Sequence, residues 1–193
     1  FVAVEDSDTP LASASAIDSA AQTNRIGLFL GHHYNDSDLG AVCEDGLTER
    51  SINANVGEGL KAELVAQGYE VDTFTDYGNE LQGYRADLLM VIHVYGCMQD
   101  LESGYRISNV NDSQILSTCL AEYEAATDLE QRYNASYMGN YPRFQETAES
   151  TPVLVIELGM LEADRYLLTQ QQDRVVTGLA NTINCFSPLQ SDT

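Results

Sequence analysis

The sequence is poor in basic residues. Among 193 residues Lys61 is the only lysine, and Lys and Arg together number 9 against 30 Asp and Glu. The formal net charge is −21 at neutral pH. A surface of that sign repels phosphate backbones and anionic lipid, so no nucleic-acid partner is expected. No run of five like charges occurs, and the acid reads as a dispersed coat, suited to a salty or extracellular medium, rather than a tail. A cation-binding surface is the alternative reading. No run of 18 apolar residues is present, and membrane insertion is not expected. No CxxC pair occurs, which sets aside a zinc ribbon or a thioredoxin-type motif. No internal repeat and no second domain are visible. No secretory leader is visible either: Phe1 opens a polar stretch rich in Ser, Ala and Asp, as in a chain already processed or one that starts inside a longer product.

What is present fits one globular domain. Apolar residues make up 44% and charged residues 20%, an ordinary balance. A chain of this length buries roughly 70% of its unfolded surface, enough for a core without staples. Four cysteines, Cys43, Cys97, Cys119 and Cys185, are even in number and widely spaced. That pattern fits two disulfides in an oxidising compartment, against the alternative of four reduced core thiols. Glycosylation sequons begin at Asn35, Asn111 and Asn134 and point weakly the same way.

The chain divides into an arm or linker at 1–23, an α/β domain at 24–187 and a tail at 188–193. In the domain, Ile26-Gly27-Leu28-Phe29-Leu30-Gly31 is short, apolar and glycine-flanked, as a buried strand is. Residues 34–50 read as a polar loop. Ile52, Val56, Leu60 and Leu64 then recur every four residues, with Gly68 where a helix should stop. Residues 69–75 read as a second strand. Residues 86–93 read as a third, apolar on both faces and therefore central. Residues 112–132 read as one helix, 133–150 as a loop and 152–157 as a fourth strand. Residues 163–184 read as a closing helix with Asp164 as its N-cap. Alternating strands and helices predict a single mainly parallel twisted sheet with helices on both faces. Such folds place their chemistry beyond the carboxyl ends of the strands.

All three histidines of the chain fall at those ends. The first strand finishes at His32-His33, the third at His93 and the fourth at Glu157, while Glu49 precedes the amphipathic helix. Two imidazoles and a carboxylate are a ligand set for catalytic zinc, leaving a position open for water. A further carboxylate is then needed to move protons, and Glu157, ending an apolar strand, is placed for it. The plainer alternatives are hydrogen-bonded loop histidines and, for Glu49, a first-turn acid facing the helix dipole.

Four segments together resemble the zinc-dependent N-acetylmuramoyl-L-alanine amidases of the type-3 family, which cut peptide stems from peptidoglycan. They are Gly31-His32 with Asp38-Leu39-Gly40-Ala41; Leu47-Thr48-Glu49-Arg50-Ser51-Ile52-Asn53; Ala86 through His93; and Pro152 through Leu161. The likeness spans roughly residues 25 to 185. It implies that His32, Glu49 and His93 bind zinc and that Glu157 acts as general base and acid. It further implies a secreted or envelope hydrolase whose substrate is peptidoglycan or a muropeptide.

The chain departs from that family in several places. His33-Tyr34 follow the first histidine where the family has small residues, and the loop to Asp38 is about two residues longer. His33 is thus an alternative ligand to His32. Val94-Tyr95-Gly96-Cys97 follow His93, and Cys97 is an alternative metal ligand. Because Cys43 and Cys97 both flank presumed ligands, a Cys43–Cys97 bond would clamp the site loops, and Cys119–Cys185 would then tie two helices; the sequence allows three pairings. Cell-wall polymers are generally anionic and would be held off a protein of this charge at low salt. A salty medium, a separate targeting module or a different substrate would each resolve that. The rival reading is an inactive amidase-fold subunit of an extracellular assembly. It would self-assemble through the arm and use the tyrosines from Tyr95 to Tyr141 as contacts.

Overall fold

The computed structural model describes residues 23–33, 36–75, 79–98, 102–109, 114–132 and 142–187. Residues 1–22 of the expected arm at 1–23, the tail, the three sequon asparagines, Tyr34, Tyr133, Tyr137 and Tyr141 lie outside the described residues.

Five strands form one sheet. β1 (Arg25–Leu30), β2 (Glu70–Phe74), β3 (Leu88–Tyr95), β4 (Arg106–Asn109) and β5 (Val153–Met160) lie in the order β2-β1-β3-β5-β4. Every pairing is parallel except β4 with β5. The helices are α1 (Glu49–Ala66), α2 (Gln114–Cys119), α3 (Ala121–Thr127), α4 (Arg165–Gln170) and α5 (Gln172–Phe186). The central strands β1, β3 and β5 are apolar on both faces because both faces are covered.

On one face, Leu28, Met90, Ile92 and Ile156 pack with the α1 stripe Ile52, Val56, Leu60 and Leu64 and with Val175, Leu179 and Ile183 of α5. Gly57 of α1 is where the helix meets the sheet: a Cβ there would run into the Leu30 side chain. The roughly 1 kcal/mol that glycine costs a helix is offset by that close approach. On the other face, Phe29, Val91 and Val155 pack with Leu81 and Phe144, which belong to the short 3₁₀ turns Asn79–Leu81 and Pro142–Glu146.

Four expectations change. The described part of the segment expected as one helix, from Gln114 on, is two short helices that meet at Leu120, and Leu120 and Tyr123 both lie in the core. The closing segment is also two helices, broken at Gln171. Asp164 makes no side-chain cap; its carboxylate instead accepts from the N–H groups of Met160 (2.7 Å) and Gly104 (3.1 Å). Finally, β4 lies within a region in which no strand is expected. It brings Tyr105 inward, where that ring stacks edge-on against Tyr123 at 5.2 Å. Both rings are buried, so neither is a surface contact.

Two disulfides are present. Cys119–Cys185 joins the end of α2 to α5, with Cα atoms 5.5 Å apart. Cys43–Cys97 joins the loop before α1 to the segment after β3, at 5.4 Å. No helix among the described residues is long and apolar enough to cross a membrane.

Candidate functional site

The site is built at the carboxyl edge of the parallel strands. The strands do not stop where the sequence reading ends them. β1 ends at Leu30, two residues short of His32, whereas β3 runs two residues past His93 and β5 three past Glu157. Pairing with neighbouring strands carries the backbone through these polar positions despite the interrupted apolar pattern. His93 and Glu157 are direct partners in the β3–β5 register, so their side chains share one face.

Glu49 enters from the N-terminus of α1, where Thr48 caps the helix by accepting from Ser51 N–H at 3.1 Å. Its carboxylate is buried and lies between the two imidazoles. Oε1 lies 2.9 Å from His93 Nδ1, and Oε2 lies 3.3 Å from His32 Nε2. The N–H groups of Val94 (3.2 Å) and Ala41 (3.1 Å) donate to the same two oxygens. His32 adopts a left-handed backbone (φ 61°), uncommon for a residue with a side chain. Its ring is oriented from behind by Asp38 Oδ1, 2.8 Å from Nδ1, a carboxylate–histidine arrangement common behind metal ligands.

These contacts set the electrostatics. The Glu49 hydrogen bond, assisted by Asp38 and opposed by burial, pushes His32 up to about 9. Burial alone would raise the Glu49 carboxyl, but hydrogen bonds from His32 and His93 outweigh it and hold Glu49 well below the usual carboxylate range. His33 goes the other way: burial lowers its pKa. The contacts bring His32, not His33, to Glu49. Cys97 is bonded to Cys43, so its thiol is not available as a ligand.

The donor set fits a divalent ion. His32, Glu49 and His93 each offer one ligand atom within 4.8 Å of the others. In a tetrahedral site with bonds of 2.0–2.1 Å, ligand atoms stand about 3.3 Å apart. His93 Nε2 is sealed from solvent and has no hydrogen-bond partner among the described residues. Two glycines make the room. A Cβ at Gly40 would come within 2.6 Å of Glu49 Oε2, and one at Gly31 would strike the His93 ring. A cleft of about 470 Å³ opens over the group, walled by Tyr95, Gly96, Met98 and Glu157.

Two contributors carry little sequence signal. Asp38 is visible only as part of a turn motif. Arg106, on β4, stands directly opposite Glu157 in the antiparallel register, extending a row His93–Glu157–Arg106 across three strands.

No protein-family model matches the chain, and no curated protein matches it by sequence. Solved structures match it by fold. The five-stranded, mostly parallel α/β sheet has the fold of the N-acetylmuramoyl-L-alanine amidases of the type-3 kind. The CwlD amidase of Clostridioides difficile, solved with the GerS lipoprotein, superposes with a TM-score of 0.68 at 18% identity, over 84% of this chain and 97% of that one. The N-acetylmuramyl-L-alanine amidase Ami1 of Mycobacterium smegmatis gives 0.66 at 16% identity, over 88% and 99%. The catalytic domain of CwlV from Bacillus (Paenibacillus) polymyxa gives 0.64 at 20% identity, over 83% and 96%.

Proposed function

We propose that the protein is an extracellular zinc-dependent amidohydrolase that cleaves the amide between the lactyl group of a muramoyl sugar and L-alanine in peptidoglycan. The observation that carries this reading is the Glu49 carboxylate held between His32 and His93, with Glu157 in register beside His93 on an open cleft. His32, Glu49 and His93 would hold the zinc. When bound, zinc supplies a Lewis acid for the scissile carbonyl and lowers the pKa of water to about 7.

The chain's own groups do the rest. Glu157 takes the proton from the attacking water and passes it to the departing amine of L-alanine, leaving a carboxylate on the lactyl group. Asp38 holds His32 to one tautomer, and the Ala41 and Val94 amides fix both oxygens of Glu49. The two disulfides and the cell-wall amidase fold support a location outside the cytoplasm.

The test is metal analysis coupled to amine release. The purified chain should carry about one zinc and free the peptide from a muramoyl-peptide. Glu157→Gln should keep the zinc and lose roughly 10³-fold in rate. A chain that takes up no zinc and releases no amine would end this reading.

A further inference from the structure

We infer that Arg106 is a specificity residue that receives a free carboxylate of the substrate beside Glu157. The inference rests on the muramoyl-peptide reading above and names which stems the cleft prefers.

Arg106 differs from the cations that form ion pairs. Arg25, Arg50, Arg132, Arg165 and Arg174 each sit on a carboxylate. Arg106 is only 7% exposed, yet no carboxylate lies within ion-pair distance of it among the described residues, in a chain with 30 acids. Its guanidinium carbon lies 4.5 Å from the centre of the Tyr95 ring, and that ring walls the cleft. Nη1 reaches Met160 Sδ at 3.1 Å, a weak and neutral acceptor. A buried cation with a ring and a thioether in contact, and its register neighbour Glu157 beyond ion-pair distance, recovers only part of its lost hydration.

The remaining N–H groups of the guanidinium are not sealed in. The fully buried polar atoms without a partner among the described residues are Asn24 Oδ1, His33 Nε2, Asn53 Oδ1 and His93 Nε2. An incoming carboxylate can therefore meet the free edge of the fork, the geometry at which arginine binds such groups best.

The spacing agrees. Neighbouring strands stand about 4.8 Å apart, so the row from His93 on β3 to Arg106 on β4 spans roughly 10 Å. Two extended residues past the scissile bond span about 7 Å, and a side chain adds the rest. Muramoyl stems carry an acidic residue at that second position, its carboxylate either free or amidated. A localised cation stacked behind the Tyr95 wall of the cleft also answers the charge problem: a protein at −21 needs one to hold an anionic stem.

The experiment is calorimetric titration of the zinc-loaded Glu157→Gln chain with N-acetylmuramoyl-L-alanyl-D-glutamate capped at its γ-carboxyl as the methylamide, which leaves one free α-carboxylate, and with the α-amide of that same compound, which leaves none. The acid should bind at least roughly tenfold tighter than the amide. Adding Arg106→Gln should erase the difference, and Arg106→Lys should keep part of it. Equal affinities in the Arg106 chain, or a preference that persists in Arg106→Gln, would overturn the inference. The first of these comparisons needs no variant at Arg106, so it decides even if Arg106→Gln does not fold. Failure of both ligands to bind would remove the muramoyl-peptide reading itself, a result distinct from equal binding.

Discussion

The two disulfides close loops of similar length, spanning 54 and 66 residues, but they serve different regions. Cys119–Cys185 lies in the helical layer, where α3, α5 and α1 pack through Tyr123, Leu179 and Leu60, all of them fully buried. Cys43–Cys97 lies at the rim. It ties the loop that leads into Glu49 to the segment that leaves His93. The loop is also held by Arg165, whose guanidinium grips Asp45 from α4. The layer is held by apolar area. The rim is held by a few directional bonds, and its groups keep their positions only while the bonds hold. A crosslink of one size thus has two consequences, general stability in the layer and site geometry at the rim.

Removing each bond separately gives the largest contrast. Converting Cys119 and Cys185 to serine should cost about 4 kcal/mol of unfolding free energy in the loop-entropy account, with zinc affinity unchanged. Converting Cys43 and Cys97 should cost a similar amount and, in addition, weaken zinc roughly tenfold. Denaturant unfolding and competition against a chelator measure the two quantities. Equal effects of the two pairs on zinc would erase the distinction.

Single substitutions sharpen it further. Leu179→Ala in α5 should cost about 3 kcal/mol of stability and leave zinc binding alone, because it opens a cavity in the helical layer and Leu179 does not line the cleft. Asp38→Asn should do the reverse. It weakens the hold on His32 Nδ1 and should lower zinc affinity roughly tenfold while moving stability by less than about 1 kcal/mol. A large stability loss in Asp38→Asn would mean that the rim is part of the folding core after all.

The same division explains what could be read from the sequence. The apolar runs of β1, β3 and β5 and the four-residue stripe of α1 are legible because burial on both faces, or along one stripe, selects those residues. The site is legible for a related reason: polar residues at the ends of such runs need an explanation. β4 is not legible. Arg106-Ile107-Ser108-Asn109 has no strong alternation, and it is a strand because β5 offers it an open edge. That omission hid Arg106, since its place opposite Glu157 exists only in the register. The breaks at Leu120 and Gln171 escape as well, because the apolar spacing runs on across both. Asp164 resembles a cap in sequence, but its bonds to Met160 and Gly104 tie β5 to the segment before β4, a connection that only the fold creates.

The smallest expected effect is one of pH, and it opposes the metal-free rim to the loaded one. In the chelated chain, His32 has a pKa of about 9 against an ordinary 6.5, so the stability it contributes is complete below 6.5 and is lost as pH rises through 9. Glu49 is depressed from 4.5, so its contribution is present above 4.5 and is lost as pH falls below that. Both contributions come from one contact, and the metal-free chain should be most stable between these ordinary values, from 4.5 to 6.5. Zinc needs a neutral His32, so its hold should strengthen as pH rises towards 9, the opposite trend. Thermal unfolding with chelator and with zinc, taken from about pH 5 to 9.5, should give melting temperatures that diverge by a few degrees towards the alkaline end. Because His32 is only partly buried, solvent screening keeps the effect small. Leu179→Ala should shift both curves down in parallel, since its cavity does not titrate. A chelated chain equally stable at pH 6 and 9.5 would show that the Glu49–His32 contact does not hold the rim.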